Sequence, residues 1–326
     1  MFSPPLTRSH LAPGSDPSVL PGDVLIADRS NNRLLAVDPQ GRIVWQFPRP
    51  GHGGLPRPDD AFFSPVGREI VATEEDVSAV TVIDVATRRI VYRYGEIDRP
   101  GYGPNRVSHP DDAMLLPNGS IVLADIQNCR LLLLRPPSHR PAQTLGSPFQ
   151  GCHHDPPRAW GSPNGAFPLR GGGVLVTEIN GDWVDALSAT GRVLWSTHPP
   201  GISYPSDSNE VRRGLFVTVG WQSPGVLETF DRRGRLRWRY RPRPGAAPLD
   251  HPSLAVPLPN GDFLLNDDFN DRVIVVDPHT NRVVWQYGHT GVAGSAPGYL
   301  SRPDGVDLVP PTALLTHIDA RVRLHG

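Results

Sequence analysis

One pattern of strands and turns occurs six times along the chain, at intervals of about 48 residues. Each copy begins with a proline, a small polar or acidic residue and a short apolar strand. A turn such as Pro-Asn-Gly, a second apolar strand that ends in an acid, and a third strand follow. The copy ends with a turn, often Gly-Arg, and a fourth strand that carries Trp or Tyr. Four short strands bounded by Gly, Pro and Asn are typical of one blade of a β-propeller.

The two ends of the chain indicate how the ring closes. The first copy starts at its second strand, Val24–Asp28, whereas the last copy ends with a lone first strand at residues 302–308. Joining them in one sheet completes a blade and leaves no open sheet edge. We therefore predict an all-β fold with few helices, a six-bladed β-propeller of four-stranded blades. Seven blades is the alternative, because residues 16–20 could supply a further first strand and residues 312–324 a partial extra blade.

The domain organisation follows from this ring. We predict one propeller domain over residues 23–311, closed between its N- and C-terminal strands, after an extended segment over 1–22. Residues 312–326 form a C-terminal tail or a partial extra blade. No signal peptide or membrane span is visible, so the sequence as written fits a soluble protein of the cytoplasm. If the N-terminus has been trimmed, a secreted or periplasmic protein is expected.

Charge and composition exclude several classes of function. The 32 basic residues balance the 33 acidic ones, and nothing indicates binding to nucleic acid. All 32 are arginine, which excludes Schiff-base chemistry and a P-loop lysine. The sequence also lacks a Gly-x-Ser-x-Gly elbow, a His-Glu-x-x-His motif and a dinucleotide fingerprint. We expect a monomer without a recognisable catalytic motif.

Two stretches of the chain resemble known repeat families. Tyr-Gly-His-Thr-Gly at 287–291, with Pro-Gly-Tyr at 297–299 and Arg-Pro-Asp-Gly-Val at 302–306, is similar to the linker and first strand of NHL repeats. Val-Asp-Pro at 276–278 and Asn-Arg-Val-Val-Trp at 281–285 resemble PQQ-binding-like (quinoprotein-like) repeats. The resemblance extends over nearly all of the chain and is to uncharacterised bacterial propellers. It implies a fold rather than an activity, because both repeat types serve enzymes and adaptors alike.

Comparison of the repeats separates structural positions from candidate functional ones. The fourth-strand aromatic residue is predicted to dock each blade on its neighbour. Only the third repeat, around Gln143, lacks it. The other five copies carry it at Trp45, Tyr92, Trp195, Trp238 and Trp285.

The loops at one end of the blades surround the mouth of the central channel, where concave ligand sites form. The residue directly after the first-strand proline is Asp, Asn or Ser in every repeat, which we interpret as a turn cap. The next position carries Asp60, Asp112 and Asp207 in three repeats and Gly or Leu in the others. Converging carboxylates repel one another unless a cation, protons or arginines offset their charge. These three aspartates are therefore candidate metal ligands, and calcium is the cation expected if one is bound.

Second-strand ends give a further set of candidates. Asp28, Asp125 and Asp267 each precede an arginine by five residues, which predicts stabilising acid–arginine pairs. Glu74 and Glu178 have no such arginine, so these two acids are the better functional candidates. Trp183 and Trp221, with Trp160, lie in or before loops of the same face. They could stack on a planar or sugar-like ligand, or fill the mouth by packing.

Two hypotheses of function follow. The first is a scaffold that binds a small molecule or a protein partner at the top face of the channel. Its ligand-binding residues would be Asp60, Asp112, Asn164, Glu178, Trp183, Asp207 and Trp221. The alternative is a divalent-metal-dependent hydrolase or lyase, because lactonase-like and NHL-type propellers hold a cation in the channel. The residues leave open whether the chain is an enzyme.

The two cysteines bear on cofactor and compartment. PQQ is not expected, because PQQ-dependent dehydrogenases use a larger ring and a vicinal cysteine pair. Here Cys129 and Cys152 are separated in sequence. They form either a disulfide, which would indicate an oxidising compartment, or two free thiols.

Overall fold

The computed structural model describes residues 9–49 and 51–315. In these residues, 24 strands form six separate four-stranded antiparallel sheets, numbered here in chain order. The first blade consists of β1 (Val24–Asp28), β2 (Arg33–Val37), β3 (Ile43–Phe47) and β24 (Pro303–Leu308). The second consists of β4 (Ala61–Phe63), β5 (Glu69–Glu74), β6 (Ala79–Asp84) and β7 (Arg89–Gly95). The third consists of β8 (Pro110–Leu115), β9 (Ile121–Asp125), β10 (Arg130–Leu134) and β11 (Gln143–Gly146).

The other three blades repeat this order of strands. The fourth consists of β12 (Pro163–Pro168), β13 (Val174–Glu178), β14 (Trp183–Leu187) and β15 (Val193–Thr197). The fifth consists of β16 (Pro205–Arg212), β17 (Leu215–Gly220), β18 (Val226–Asp231) and β19 (Leu236–Arg239). The sixth consists of β20 (Ala255–Pro257), β21 (Phe263–Asp267), β22 (Arg272–Asp277) and β23 (Arg282–Gly288). The predicted six-bladed propeller is confirmed.

The ring closes between the two ends of the chain, as the register of the repeats predicts. Strand β24 pairs antiparallel with β1, and Leu25 lies opposite Asp307. The seven-bladed alternative is wrong, because Pro17–Val19 is a short 3-10 helix rather than a strand. Its turn conformation follows from Asp16, whose carboxylate accepts a hydrogen bond from the Ser18 backbone N–H. The segment around it lies along β23, where the Ala12 N–H donates to the Gln286 carbonyl.

The C-terminal end of the described chain packs on the ring. Leu315 is buried against the apolar core of the first two blades. The rest of the predicted tail or partial extra blade, residues 316–326, lies outside the described residues, as do residues 1–8 and 50.

Helical structure in the described residues is limited to three-residue 3-10 turns. Four of them connect the second and third strands of a blade and end in a residue with positive φ, such as Asn32 at 55°. The turn directs its first residue, such as Arg29 or Asp268, into the mouth of the channel. The six 3-10 turns are Pro17–Val19, Arg29–Asn31, Glu75–Val77, Ile126–Asn128, Pro148–Gln150 and Asp268–Asn270.

The fourth-strand aromatic residues join neighbouring blades, as predicted. Trp45 Nε1 donates to the Val85 carbonyl at 3.2 Å, and Trp285 Nε1 to the Pro39 carbonyl at 2.9 Å. The Tyr92 hydroxyl donates to the Ser138 carbonyl at 2.7 Å. The two remaining tryptophans make ring contacts with a phenylalanine of the next blade, in the pairs Trp195–Phe216 and Trp238–Phe263.

Candidate functional site

All six blades contribute residues to one cavity of about 690 Å³ at the mouth of the channel. Its walls come from the starts of first strands and from the loops between second and third strands. Both loop sets lie at one face, as the repeat comparison predicts. The lining includes Arg29, Asp59, Asp60, Asp111, Asn164, Tyr204, Ser206, Trp221, Ser253, Asp268 and Asp304.

Four carboxylates converge beside this cavity, and two of them, Asp60 and Asp111, line it. Asp60, Asp111, Asp112 and Asp207 can each place one oxygen so that all four oxygens lie within 4.8 Å of one another. We call these four residues the carboxylate quartet. Asp111 and Asp112 lie in the first strand of the third blade and Asp207 in that of the fifth, and Asp60 directly precedes the first strand of the second blade. Each is at most 6% exposed. The three predicted metal ligands thus lie together, and Asp111 is a fourth member that the sequence comparison missed.

The carboxylate quartet has few hydrogen-bond donors. Asp112 accepts a hydrogen bond from the Ala166 backbone N–H at 3.0 Å through one oxygen. Among the described residues, no N–H group and no Ser, Thr or Tyr hydroxyl reaches its other oxygen, either oxygen of Asp207, or one oxygen each of Asp60 and Asp111. A proton on Asp112 or Asp207 would be shared between these two carboxyl groups. Buried polar atoms of this kind usually have a partner, and buried charges are usually paired or metal-bound.

Burial and mutual repulsion disfavour the charged state of these acids. Burial, followed by the charges of neighbouring aspartates, raises the pKa of Asp60, Asp111 and Asp207 well above the usual value. Burial also raises the pKa of Asp112, to about 7. Without a cation, the folded chain must therefore keep protons on some of these carboxyl groups at neutral pH.

In two blades the equivalent repeat position is a glycine, and each of these glycines lies against an aspartate of the following blade. A Cβ atom on Gly165 would lie 2.7 Å from Asp207 Oδ1, and one on Gly305 would lie 2.6 Å from Asp60 Oδ1. Both distances are shorter than any real Cβ contact. The glycine of one blade therefore makes room for the carboxylate of the next.

Arg29 organises a second layer of charge above the carboxylate quartet. Its Nη1 donates to Asp59 and Asp304, and its Nη2 lies 2.9 Å from Glu75 and 3.0 Å from Asp76. Burial is the largest influence on Asp304 and acts to raise its pKa, but the charge of Arg29 and the hydrogen bonds that Asp304 accepts together lower the pKa.

The interpretation of the residue after the proline as a turn cap is wrong for Asp59, Asp111 and Asp304. Their side chains lie in the channel of three neighbouring blades. Asp is common in turns, so residue type alone could not separate the two roles.

The other predicted ligand-binding residues divide between two places. Asn164 and Trp221 line the mouth cavity, whereas Glu178 and Trp183 lie apart from it around His154. His154 Nδ1 is 2.7 Å from Glu178 Oε1, and the indole of Trp183 lies between the rings of His154 and His198.

The remaining sequence candidates have structural roles. Trp160 is fully buried, so it cannot stack on a ligand. Each of the three predicted acid–arginine pairs is present at 2.7 Å: Asp28–Arg33, Asp125–Arg130 and Asp267–Arg272.

Cys129 and Cys152 form a disulfide, with their Cα atoms 5.3 Å apart. It attaches the segment before His154 to the third blade.

In the described residues, no helix is long and apolar enough to cross a membrane.

Comparison with known proteins supports the repeat type. A PQQ-repeat family model, described as outer membrane protein assembly factor BamB, matches residues 147–298. No curated protein matches the sequence significantly.

Several solved structures share the fold at low sequence identity. A protein of unknown function from Bacteroides caccae is 15% identical, with a TM-score of 0.61 over 88% of this chain and 98% of that chain. A chain of the nidogen/laminin complex is 13% identical, with a TM-score of 0.63 and the same coverage. A streptogramin B lyase is 16% identical, with a TM-score of 0.56 over 91% of this chain and 87% of that chain. At such identities the likeness shows the fold alone. The chain is thus a six-bladed β-propeller in which residues 147–298 match a PQQ-repeat family model.

Proposed function

We propose that this propeller binds a calcium ion at the carboxylate quartet and a small, oxygen-rich molecule above it in the mouth cavity. The observation that carries the proposal is the set of buried carboxylate oxygens without a donor, which includes both oxygens of Asp207. Calcium prefers six to eight oxygen ligands, many of them carboxylates. The quartet contains no histidine or cysteine, which disfavours zinc.

Charge balance supports a cation at this position. The nearby guanidinium of Arg29 is already engaged by Asp59, Asp304, Glu75 and Asp76, so it does not neutralise the quartet. A divalent cation would replace the protons that burial otherwise keeps on these carboxyl groups. It would also coordinate the oxygens that no N–H group reaches.

The walls of the mouth favour a small polar ligand with a planar or sugar-like face. Asn164 and Ser206 place an amide and a hydroxyl group on the wall, where Asn164 Nδ2 donates to Ser206 Oγ and the amide oxygen stays available to a ligand. Trp221 adds an indole ring. Ligand oxygens could complete the coordination of the cation from above. A cavity of about 690 Å³ is in the usual range for small-molecule sites.

A divalent-metal-dependent hydrolase or lyase is the second candidate function. The observation that favours it is the position of the quartet under an open cavity, where substrate could reach the cation. A cation with open coordination positions lowers the pKa of bound water and polarises carbonyl groups. Turnover of lactones or esters that is lost when calcium is removed would support this function over simple binding.

The test is calcium titration of chelator-treated protein by calorimetry. We expect one calcium per chain, and at least tenfold weaker binding in Asp207→Asn, because an amide replaces a charged ligand. Asp231→Asn is the matched control, since Asp231 pairs with Arg235 and Arg237 outside the channel and should bind calcium like the wild type. Wild-type protein that binds no divalent cation at millimolar concentration would refute the proposal.

A further inference from the structure

One blade lacks the aromatic residue that fills the space between neighbours in the rest of the ring. In five blades a Trp or Tyr of the fourth strand faces a fixed position of the third strand. These register pairs are Trp45–Ala36, Tyr92–Val82, Trp195–Ala186, Trp238–Thr229 and Trp285–Val275. In the third blade the pair is Gln143–Leu133, and Gln143 is exposed to solvent.

A mostly apolar cavity of about 670 Å³ lies at this position, between the third and fourth blades. Leu131, Leu133 and Leu145 of the third blade form one wall, and Val174 and Leu187 of the fourth blade form the other. Each of the other five blades projects an aromatic ring towards the next blade from the position of Gln143. The cavity therefore lies at the position that an aromatic ring fills between the other pairs of neighbouring blades.

The backbone also offers the hydrogen-bond acceptor that two of the four fourth-strand tryptophans use, whereas Trp238 Nε1 has no partner among the described residues. Trp45 Nε1 and Trp285 Nε1 donate to the carbonyls of Val85 and Pro39 in the next blade. Each acceptor lies three residues after the third-strand residue that pairs with the aromatic residue of the acceptor's blade. Val85 follows Val82 in the second blade, and Pro39 follows Ala36 in the first. The same count from Ala186 in the fourth blade gives Ala189, which lines the cavity.

We propose that this cavity is a second ligand site, which binds a planar aromatic molecule with one N–H donor at its edge. Indole is the ring of a tryptophan side chain and has this chemistry, and it would occupy only part of the cavity of about 670 Å³. The ring would take the place of the missing tryptophan, contact the leucine side chains on both walls, and donate its N–H to the Ala189 carbonyl. Burial of the ring supplies the affinity, and the single hydrogen bond sets its orientation. The inference does not depend on the channel site.

Indole titration of the wild type and two variants tests the proposal. We expect saturable binding to the wild type and to Gln143→Ala, which leaves the cavity open. Gln143→Trp supplies the ring from the chain itself, so it should bind indole at least tenfold more weakly and unfold at a higher temperature. N-methylindole, which lacks the donor, should bind the wild type more weakly than indole. Calcium should not change these affinities.

Three results would overturn the proposal. They are no saturable indole binding by the wild type, equal binding by folded Gln143→Trp, or a crystal soak that places indole elsewhere. If Gln143→Trp does not fold, Gln143→Phe provides the same test with a smaller ring.

Discussion

At the residue scale, Glu178 and Asp185 show how one buried proton can couple stability to pH. Both side chains are fully buried, and the Ser196 hydroxyl donates to Asp185. Burial, followed by the hydrogen bond and charge of Glu178, raises the pKa of Asp185 to about 8. At neutral pH Asp185 therefore carries a proton, which it shares with Glu178.

The sign of the pH effect follows from this raised pKa. Between the usual carboxyl pKa of 3.8 and about 8, the folded chain holds one proton more than the unfolded chain. The contribution of Asp185 to the free energy of unfolding is therefore greatest at low pH and declines as pH rises through about 8. In Asp185→Asn, the decline in the free energy of unfolding that comes from Asp185 should disappear. The measurement is urea denaturation at pH 6, 7 and 8.5, and parallel pH profiles for the two proteins would contradict the assignment.

Part of the candidate site is predictable from the sequence, and the rest is not, for physical reasons. Asp60, Asp112 and Asp207 stood out because other repeats have Gly or Leu at that position. Asp111 resembled an ordinary turn residue, and its burial depends on how the blades converge. Arg29 and Asp185 likewise gain their roles from contacts between strands and blades, which no single repeat contains.

At the element scale, the fourth-strand tryptophans hold neighbouring blades together. Trp285 is fully buried and donates to the Pro39 carbonyl of the first blade. Trp195 occupies the equivalent position but is only half-buried. The same residue type should therefore contribute differently at the two places.

We predict that Trp285→Ala lowers the free energy of unfolding by about 3–5 kcal/mol, since the substitution leaves a large cavity between blades. Trp195→Ala should cost clearly less, because part of the ring is already in contact with water. Equilibrium denaturation with guanidinium measures both values. Equal losses would show that docking does not depend on the burial of the ring.

The strands themselves were predictable because turns bound them so regularly. Five second strands end at the acid that the repeat predicts: Asp28, Glu74, Asp125, Glu178 and Asp267. The 3-10 helix Pro17–Val19 occurs where the alternative placed a strand, because local capping by Asp16 outweighs the short apolar pattern.

At the scale of the whole molecule, ring closure and the channel site are linked. Closure by the β24–β1 pairing brings the first-strand acids of separate blades to one axis. The resulting cluster of carboxylates repels itself, so the closed ring gains stability from any cation bound there. A ligand that binds only the folded state at 100 times its Kd stabilises that state by about 2.7 kcal/mol.

The most direct measurement is the thermal midpoint of chelator-treated protein with and without 1 mM calcium, for the wild type and Asp207→Asn. We predict a rise of several degrees in the wild type, one bound calcium per chain by mass spectrometry, and little or no rise in the variant. Equal midpoints with and without calcium, together with no bound metal in the wild type, would contradict the proposed cation site.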